Sequence, residues 1–143
     1  MIMDKLTAFA LKQNFFGTAA TAKIGDALDL TAFPTDMGEG YPMYLVVLVT
    51  TAMAGGTAMT VNLVTAANAA LDSGPVTLLS SAAVAQAAAT AGTQVLVVAL
   101  PKASYKRYLG VTVTRTGTST AGAISAFLTQ DPPSWRAYPE GLN

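Results

Sequence analysis

A chain of 143 residues is long enough for one domain with a real core, and 52% of these residues are hydrophobic while only 11% are charged. Eight basic and eight acidic residues leave zero formal net charge, so the basic excess that nucleic-acid binding draws on is absent. There is no cysteine and no histidine, which removes disulfides, thiolate metal sites, the usual imidazole ligand and the usual general base.

An average domain is about 25% charged, so small Ala, Thr, Ser and Gly residues must supply much of the outside here. Such a surface dehydrates easily. With no charge repulsion between copies, it favours an oligomer or a fixed place in an assembly. No apolar run approaches the roughly 20 residues of a membrane-spanning helix. The mostly apolar stretch 6–11 is short, sits between Lys5 and Lys12, and does not resemble a signal peptide. The chain reads as made and used inside a cell, or assembled there into something larger.

In chain order, residues 1–16 stand apart. Leu6, Phe9, Ala10 and Gln13 fall at helical spacing, with Phe15-Phe16 after them, which fits one or two helical turns or an extended arm. Residues 17–22 are small and flexible. The run 44–50 is β-branched and apolar on both faces, as in a central strand. Gly55-Gly56 signals a turn. Met59, Val61 and Leu63 then alternate with Thr60, Asn62 and Val64, predicting a half-buried strand. Asp72-Ser-Gly-Pro75 is a second turn, and residues 76–80 a short strand. The alanines of 81–91 favour helix by propensity. That stretch has no capping acid or charged face and lies between strands, so strand or irregular structure is favoured over a short helix.

Residues 93–100 form a second run apolar on both faces, stopped by Pro101. In 108–116, Leu109, Val111 and Val113 share one face and Thr112 and Thr114 the other. Gly117 turns the chain, and in 123–130 Ile124, Ala126 and Leu128 oppose Ser125, Phe127 and Thr129. Asp131-Pro-Pro-Ser-Trp135 leaves the sheet, because two prolines cannot sit in a central strand. Six to eight short strands with regular turns indicate an all-β single domain, a jelly roll or β-sandwich over residues 17–130, with an N-terminal arm (1–16) and a C-terminal tail (131–143).

Little in the chain suggests catalysis. A Ser or Thr nucleophile has no histidine to activate it. Asp26 and Asp29 invite an acid–base or calcium reading, but calcium wants six or more oxygens and no third acid is close, so solvated loop acids are expected. Gly38-Glu39-Gly40 lacks the third glycine or Lys-Ser/Thr of a phosphate loop and reads as a turn. Ser104-Tyr-Lys-Arg-Tyr108 mixes bases with aromatics, as single-strand binders do. On a neutral chain it reads instead as a loop rim with Tyr108 packed at the start of a strand. No enzyme activity, metal or cofactor is expected.

The aromatic residues are more informative. Phe127 falls on the polar face of its strand. Phe9, Phe15 and Phe16 lie in the N-terminal segment, and Trp135, Arg136 and Tyr138 in the tail. Large side chains outside the expected core mark contacts with a partner. The expectation is therefore that these seven residues, and the terminal segments more than the strands, meet other proteins; the alternative is that the two termini fold back onto their own sandwich.

Several phrases follow one another in an order that resembles a known family. They are Tyr44-Leu-Val-Val, Met59-Thr-Val-Asn-Leu-Val-Thr65, Asn68-Ala-Ala-Leu71 and Thr77-Leu-Leu-Ser-Ser81, then Ala91-Gly-Thr-Gln-Val-Leu96, Leu100-Pro101, Arg107-Tyr108-Leu109 and Thr120-Ala-Gly-Ala123. No single phrase is specific; their order and spacing over about residues 40–130 carry the case. The chain resembles the capsid cement (decoration) proteins of tailed bacteriophages, the family typified by the Bordetella phage cement protein. It departs from them at Gly110, where the pattern often has Arg after Tyr-Leu, and in a longer tail. The resemblance implies a jelly-roll subunit made in the host cytoplasm. It implies homotrimers on the outer surface of the virion's capsid, bridging capsomers of the major capsid protein, with neither nucleic acid nor membrane as partner. The competing reading is a jelly-roll binding module for a carbohydrate or a host surface. It is disfavoured because the aromatics sit mainly at the termini and the acids are scattered.

Overall fold

The computed structural model describes residues 5–32 and 42–130. These form nine strands: β1 (Ala8–Asn14), β2 (Thr21–Asp29), β3 (Tyr44–Gly55), β4 (Ala58–Ala66), β5 (Val76–Ser80), β6 (Val84–Ala85), β7 (Gln94–Ala99), β8 (Tyr108–Thr116) and β9 (Ser119–Thr129). Among the described residues the only helical pieces are single 3-10 turns at Lys5–Thr7, Leu30–Ala32 and Gln86–Ala88.

Two antiparallel sheets face each other. One has the order β1-β9-β3-β7 and the other β2-β8-β4-β5, with β6 also paired to β4. The pairings are nested: β1 with β9, β2 with β8, β3 with β7, β4 with β5. The chain thus runs as one long hairpin whose paired arms roll up, which is the jelly-roll topology. Rolling brings β9 between β1 and β3, and β8 between β2 and β4.

Side-chain alternation does the packing. Leu45, Val47 and Val49 of β3 and Ile124, Ala126 and Leu128 of β9 point inward from one sheet. Met59, Val61 and Leu63 of β4 and Leu109, Val111 and Val113 of β8 meet them from the other. The tight turns need their glycines. Gly55 and Gly56 (φ +66° and +69°) join β3 to β4, and Gly117 (φ +79°) joins β8 to β9. There a Cβ on Gly117 would stand 3.0 Å from the Cα of Gly56, so the two turns interlock.

Two expectations change, for 93–100 and for the N-terminal arm, while the preference for strand or irregular structure over 81–91 holds. Residues 93–100 supply β7, an end strand of its sheet and only partly buried, rather than a central strand apolar to both sides. Residues 81–91 hold the two-residue β6 and one 3-10 turn, whose Gln86 side chain donates to the Met53 carbonyl (3.1 Å). Residues 8–14 are not a free arm. They pair with β9, from Ala8 opposite Phe127 to Asn14 opposite Ala123, and the turn Lys5–Thr7 precedes them. Residues 131–143, expected as a tail, lie outside the described residues.

Since Phe9 sits in the core contributed by β1, Phe9→Ala should cost about 3–5 kcal/mol in guanidinium unfolding. An unchanged midpoint would return residues 1–16 to the status of a dispensable arm.

Candidate interaction surface

Of the seven residues expected at a partner contact, three are buried in the chain's own fold: Phe9 (2% exposed), Phe15 (1%) and Phe127 (1%). That expectation is corrected for each, and two glycines show why. A Cβ on Gly25 would fall 2.0 Å from the Phe9 carbonyl oxygen, so β1 presses directly onto bare β2 backbone there. A Cβ on Gly122 would fall 2.4 Å from Phe15 Cζ, so the Phe15 ring occupies the space a side chain would fill. The Phe15 N–H donates to the Gly122 carbonyl (3.1 Å). Arg115 then pins the β1–β2 corner, its Nη1 donating to the Phe15 carbonyl (2.7 Å) and its Nε to that of Thr18 (2.9 Å).

Phe127 does alternate away from the inward set, as read from the sequence. It stands in register with Ala8 and with Val46, which is itself fully buried, so the outward direction does not make it available. Phe16 is the one of the four described residues left open, at 48%. Trp135, Arg136 and Tyr138 lie outside the described residues, as does Gly38-Glu39-Gly40.

The sequence reading missed other exposed apolar residues. Leu6 and Leu11, on and beside the end strand β1, and Val76 at the start of the end strand β5 are open to solvent. Leu6 and Leu11 each adjoin a lysine, a composition common on sheet edges. That juxtaposition was the available signal. A shallow cleft of about 170 Å³ opens between β1 and β2, lined by Lys5, Ala8, Phe9, Ala10, Leu11, Gln13, Gly25 and Asp26. It is smaller than the roughly 300–1,000 Å³ of ordinary small-molecule sites.

The outer face of the second sheet carries a row of neutral polar side chains. Ser80 Oγ donates to Asn62 Oδ1 (2.8 Å), and Asn62 Nδ2 lies within hydrogen-bond distance of Thr112 Oγ1 (3.3 Å) and Thr114 Oγ1 (3.2 Å). Thr114 in turn shares a hydrogen bond with Thr21 (2.8 Å). One row of neutral side chains therefore crosses β5, β4, β8 and β2. At the far end of this face the loop 67–75 folds down. Asn68 Oδ1 accepts from the Asp72 and Ser73 N–H groups, and Lys23 and Lys106 donate to the Ala69 and Gly74 carbonyls. Leu71, held at φ +62°, seats over Gly110, where a Cβ would lie 2.5 Å from Leu71 Cδ1. The residue that departs from the family pattern is thus the floor of a side-chain seat.

Among the described residues no group of three acids converges, and Asp29 pairs with Arg107. Asp29 ends β2 instead of lying in a loop, and Asp26 lies on β2 beside the cleft. Arg107 donates to both Asp29 oxygens (Nη2–Oδ2 2.9 Å, Nε–Oδ1 3.2 Å) and lies over the Tyr108 ring at 5.1 Å. Thr31 donates its N–H (3.0 Å) and hydroxyl (2.7 Å) to Asp29 Oδ1. With Lys106 on Gly74 and Arg107 on Asp29, the two bases of the 104–108 cluster are both engaged within the chain.

The Arg107 hydrogen bonds, followed by those from Thr31, hold the Asp29 carboxyl well below the ordinary 3.8. A depressed folded pKa stabilises the fold above the ordinary value, and that contribution is lost as pH falls through the folded value. The pair is exposed, so its effect on global stability is small. In a carboxyl NMR titration, Asp29 should stay ionised below pH 3.8, where an unpaired aspartate is half protonated. Arg107→Ala should raise its midpoint toward that value; an unmoved midpoint would remove Arg107 as the cause.

No curated protein matches this chain. The family model described as Bbp16 matches residues 13–128, from within β1 to within β9. That family carries the name of a Bordetella phage protein. Because the match covers most of the chain and every strand of the sandwich at least in part, the chain belongs to the Bbp16 family.

Proposed function

We propose that the chain is a capsid cement protein of a tailed bacteriophage, made in the host cytoplasm and carried as trimers on the outer surface of the shell. There it bridges capsomers of the major capsid protein. The observation that carries this reading is the family match over 13–128, which coincides with a complete jelly-roll sandwich. The surface supports it. A face of hydrogen-bonded Thr, Ser and Asn side chains gives up water at less cost than a charged face does. A neutral chain also approaches a copy of itself without repulsion.

The role requires no bond making and no cofactor. It requires a rigid body and several modest contacts made together. A trimer supplies the second, because its later contacts form at the high effective concentration set by the first. A carbohydrate module would want an aromatic platform, and burial takes Phe9, Phe15 and Phe127 out of that role.

Mixing the purified chain with DNA-free expanded shells should give saturable co-sedimentation and a higher shell disruption temperature; shells that sediment bare would sink the reading. Light scattering at micromolar concentration should report three times 14.6 kDa. A monomer there would count against pre-formed trimers.

A further inference from the structure

Residues 67–75 join β4 to β5, and the loop they form is stitched to itself. The Ala67 N–H donates to the Ser73 carbonyl (3.1 Å) and the Leu71 N–H to the Asn68 carbonyl (3.1 Å). Asn68 completes the stitching. Its Oδ1 accepts from the Asp72 and Ser73 N–H groups, and its Nδ2 donates to Asp72 Oδ1. Bonds shared so closely break together, so the loop behaves as one unit.

Among the described residues its ties to the sandwich are fewer. Lys23 and Lys106 reach it from the rim through exposed bonds to the Ala69 and Gly74 carbonyls. The third tie is Leu71, buried in its seat over Gly110. Gly110 pairs with Val64 of β4, and antiparallel partners share a face. Val64, 5% exposed, therefore stands beside Leu71 and forms with Gly110 a small apolar floor under the loop. Leu71 holds φ +62°, a region that residues with a Cβ avoid, and such a conformation persists only where surrounding contacts compensate. Here the compensating contact is the seat. Beneath the loop, β4 and β8 pair without a register shift from Ala58 opposite Thr116 to Ala66 opposite Tyr108, so the strand ladder is complete without the loop.

We infer that residues 67–75 form a hinged strap, latched by Leu71, that opens and closes as a unit while the sandwich stays folded. Opening breaks two exposed hydrogen bonds, which water replaces, and one apolar contact, and it lets Leu71 leave its left-handed backbone. It bares Leu71 and the Val64–Gly110 floor together. The strap is a property of this chain's own fold and stands independently of the capsid reading.

The chain has no cysteine, so Val64→Cys, a close match in volume, places one thiol on the covered floor. Ala66→Cys, further along β4, serves as a second reporter. In the full chain iodoacetamide should label either thiol at a rate unchanged by low guanidinium, because opening a strap exposes little surface. Adding Leu71→Ala should speed labelling about tenfold or more, since it removes a buried leucine's contacts. Gly110→Ala fills the seat and should do the same. Combined with Leu71→Ala it should add nothing further, as both remove one contact. Circular dichroism checks the fold of each variant; if Gly110→Ala does not fold, Leu71→Ala decides. A labelling rate that climbs with guanidinium from the first addition means that the floor is reached only by unfolding the sandwich, which overturns the strap. A rate that Leu71→Ala leaves unchanged overturns the latch and the inference with it.

Discussion

The sandwich closes only when β9, the last of the described strands, lies between β1 and β3. β9 pairs with β3 along most of its length and with β1 on its other side, and β8 stands in the same relation to β4 and β2. The inward side chains of either sheet have no partner until both insertions are made. Nearly all of the apolar burial that stabilises the fold therefore depends on contacts between residues far apart in the chain. Such topologies fold slowly, because loop closure must precede the contacts that reward it. The closure has its own fittings. Gly25 admits the Phe9 carbonyl, Gly122 admits the Phe15 ring, and Arg115 ties down the corner between β1 and β2.

That closure decides what is left for a partner. By drawing β1 into the sheet it buries Phe9 and Phe15 in the chain's own core. It leaves Leu11 and Phe16 on a sheet edge instead. The outer face of the second sheet takes the other course. Its Thr, Ser and Asn side chains bond to one another across strands, so a chain with few charges keeps a polar surface that holds water weakly. On the proposed reading, a neutral body with apolar edges suits a permanent place in an assembly.

Much of the fold was legible along the chain. The two-residue period in 58–66, 108–116 and 123–129 reports which side chains share a face, and those assignments hold residue by residue in β4, β8 and β9. The glycine turns at 55–56 and 117 hold for the same local reason, since their φ values are ones other residues avoid. The edge position of β7 was not legible, because Gln94–Ala99 and the central run of β3 have similar composition. Strand neighbours, not strand content, decide which is covered. The exposed Leu6, Leu11 and Val76 were missed for a related reason. An apolar residue next to a lysine, as at 6 and 11, or at the first position of a strand, as at 76, reads equally as core or as edge until the sheet order is known.

Strand identity, facing and turns follow from nearest-neighbour backbone geometry, and so did the all-β class and the absence of an imidazole or thiol for chemistry. Those properties belonged to the sequence by itself. The tertiary structure alone decided that residues 8–14 are a strand, that Phe127 points outward and is still buried, and that Gly110 is a seat for Leu71. Each depends on a segment brought from elsewhere in the chain: β9 beside β1, Val46 beside Phe127, and the 67–75 loop over β8. A side chain's direction is set by the residues on either side of it, but its exposure is set by whatever the rolled chain lays across it.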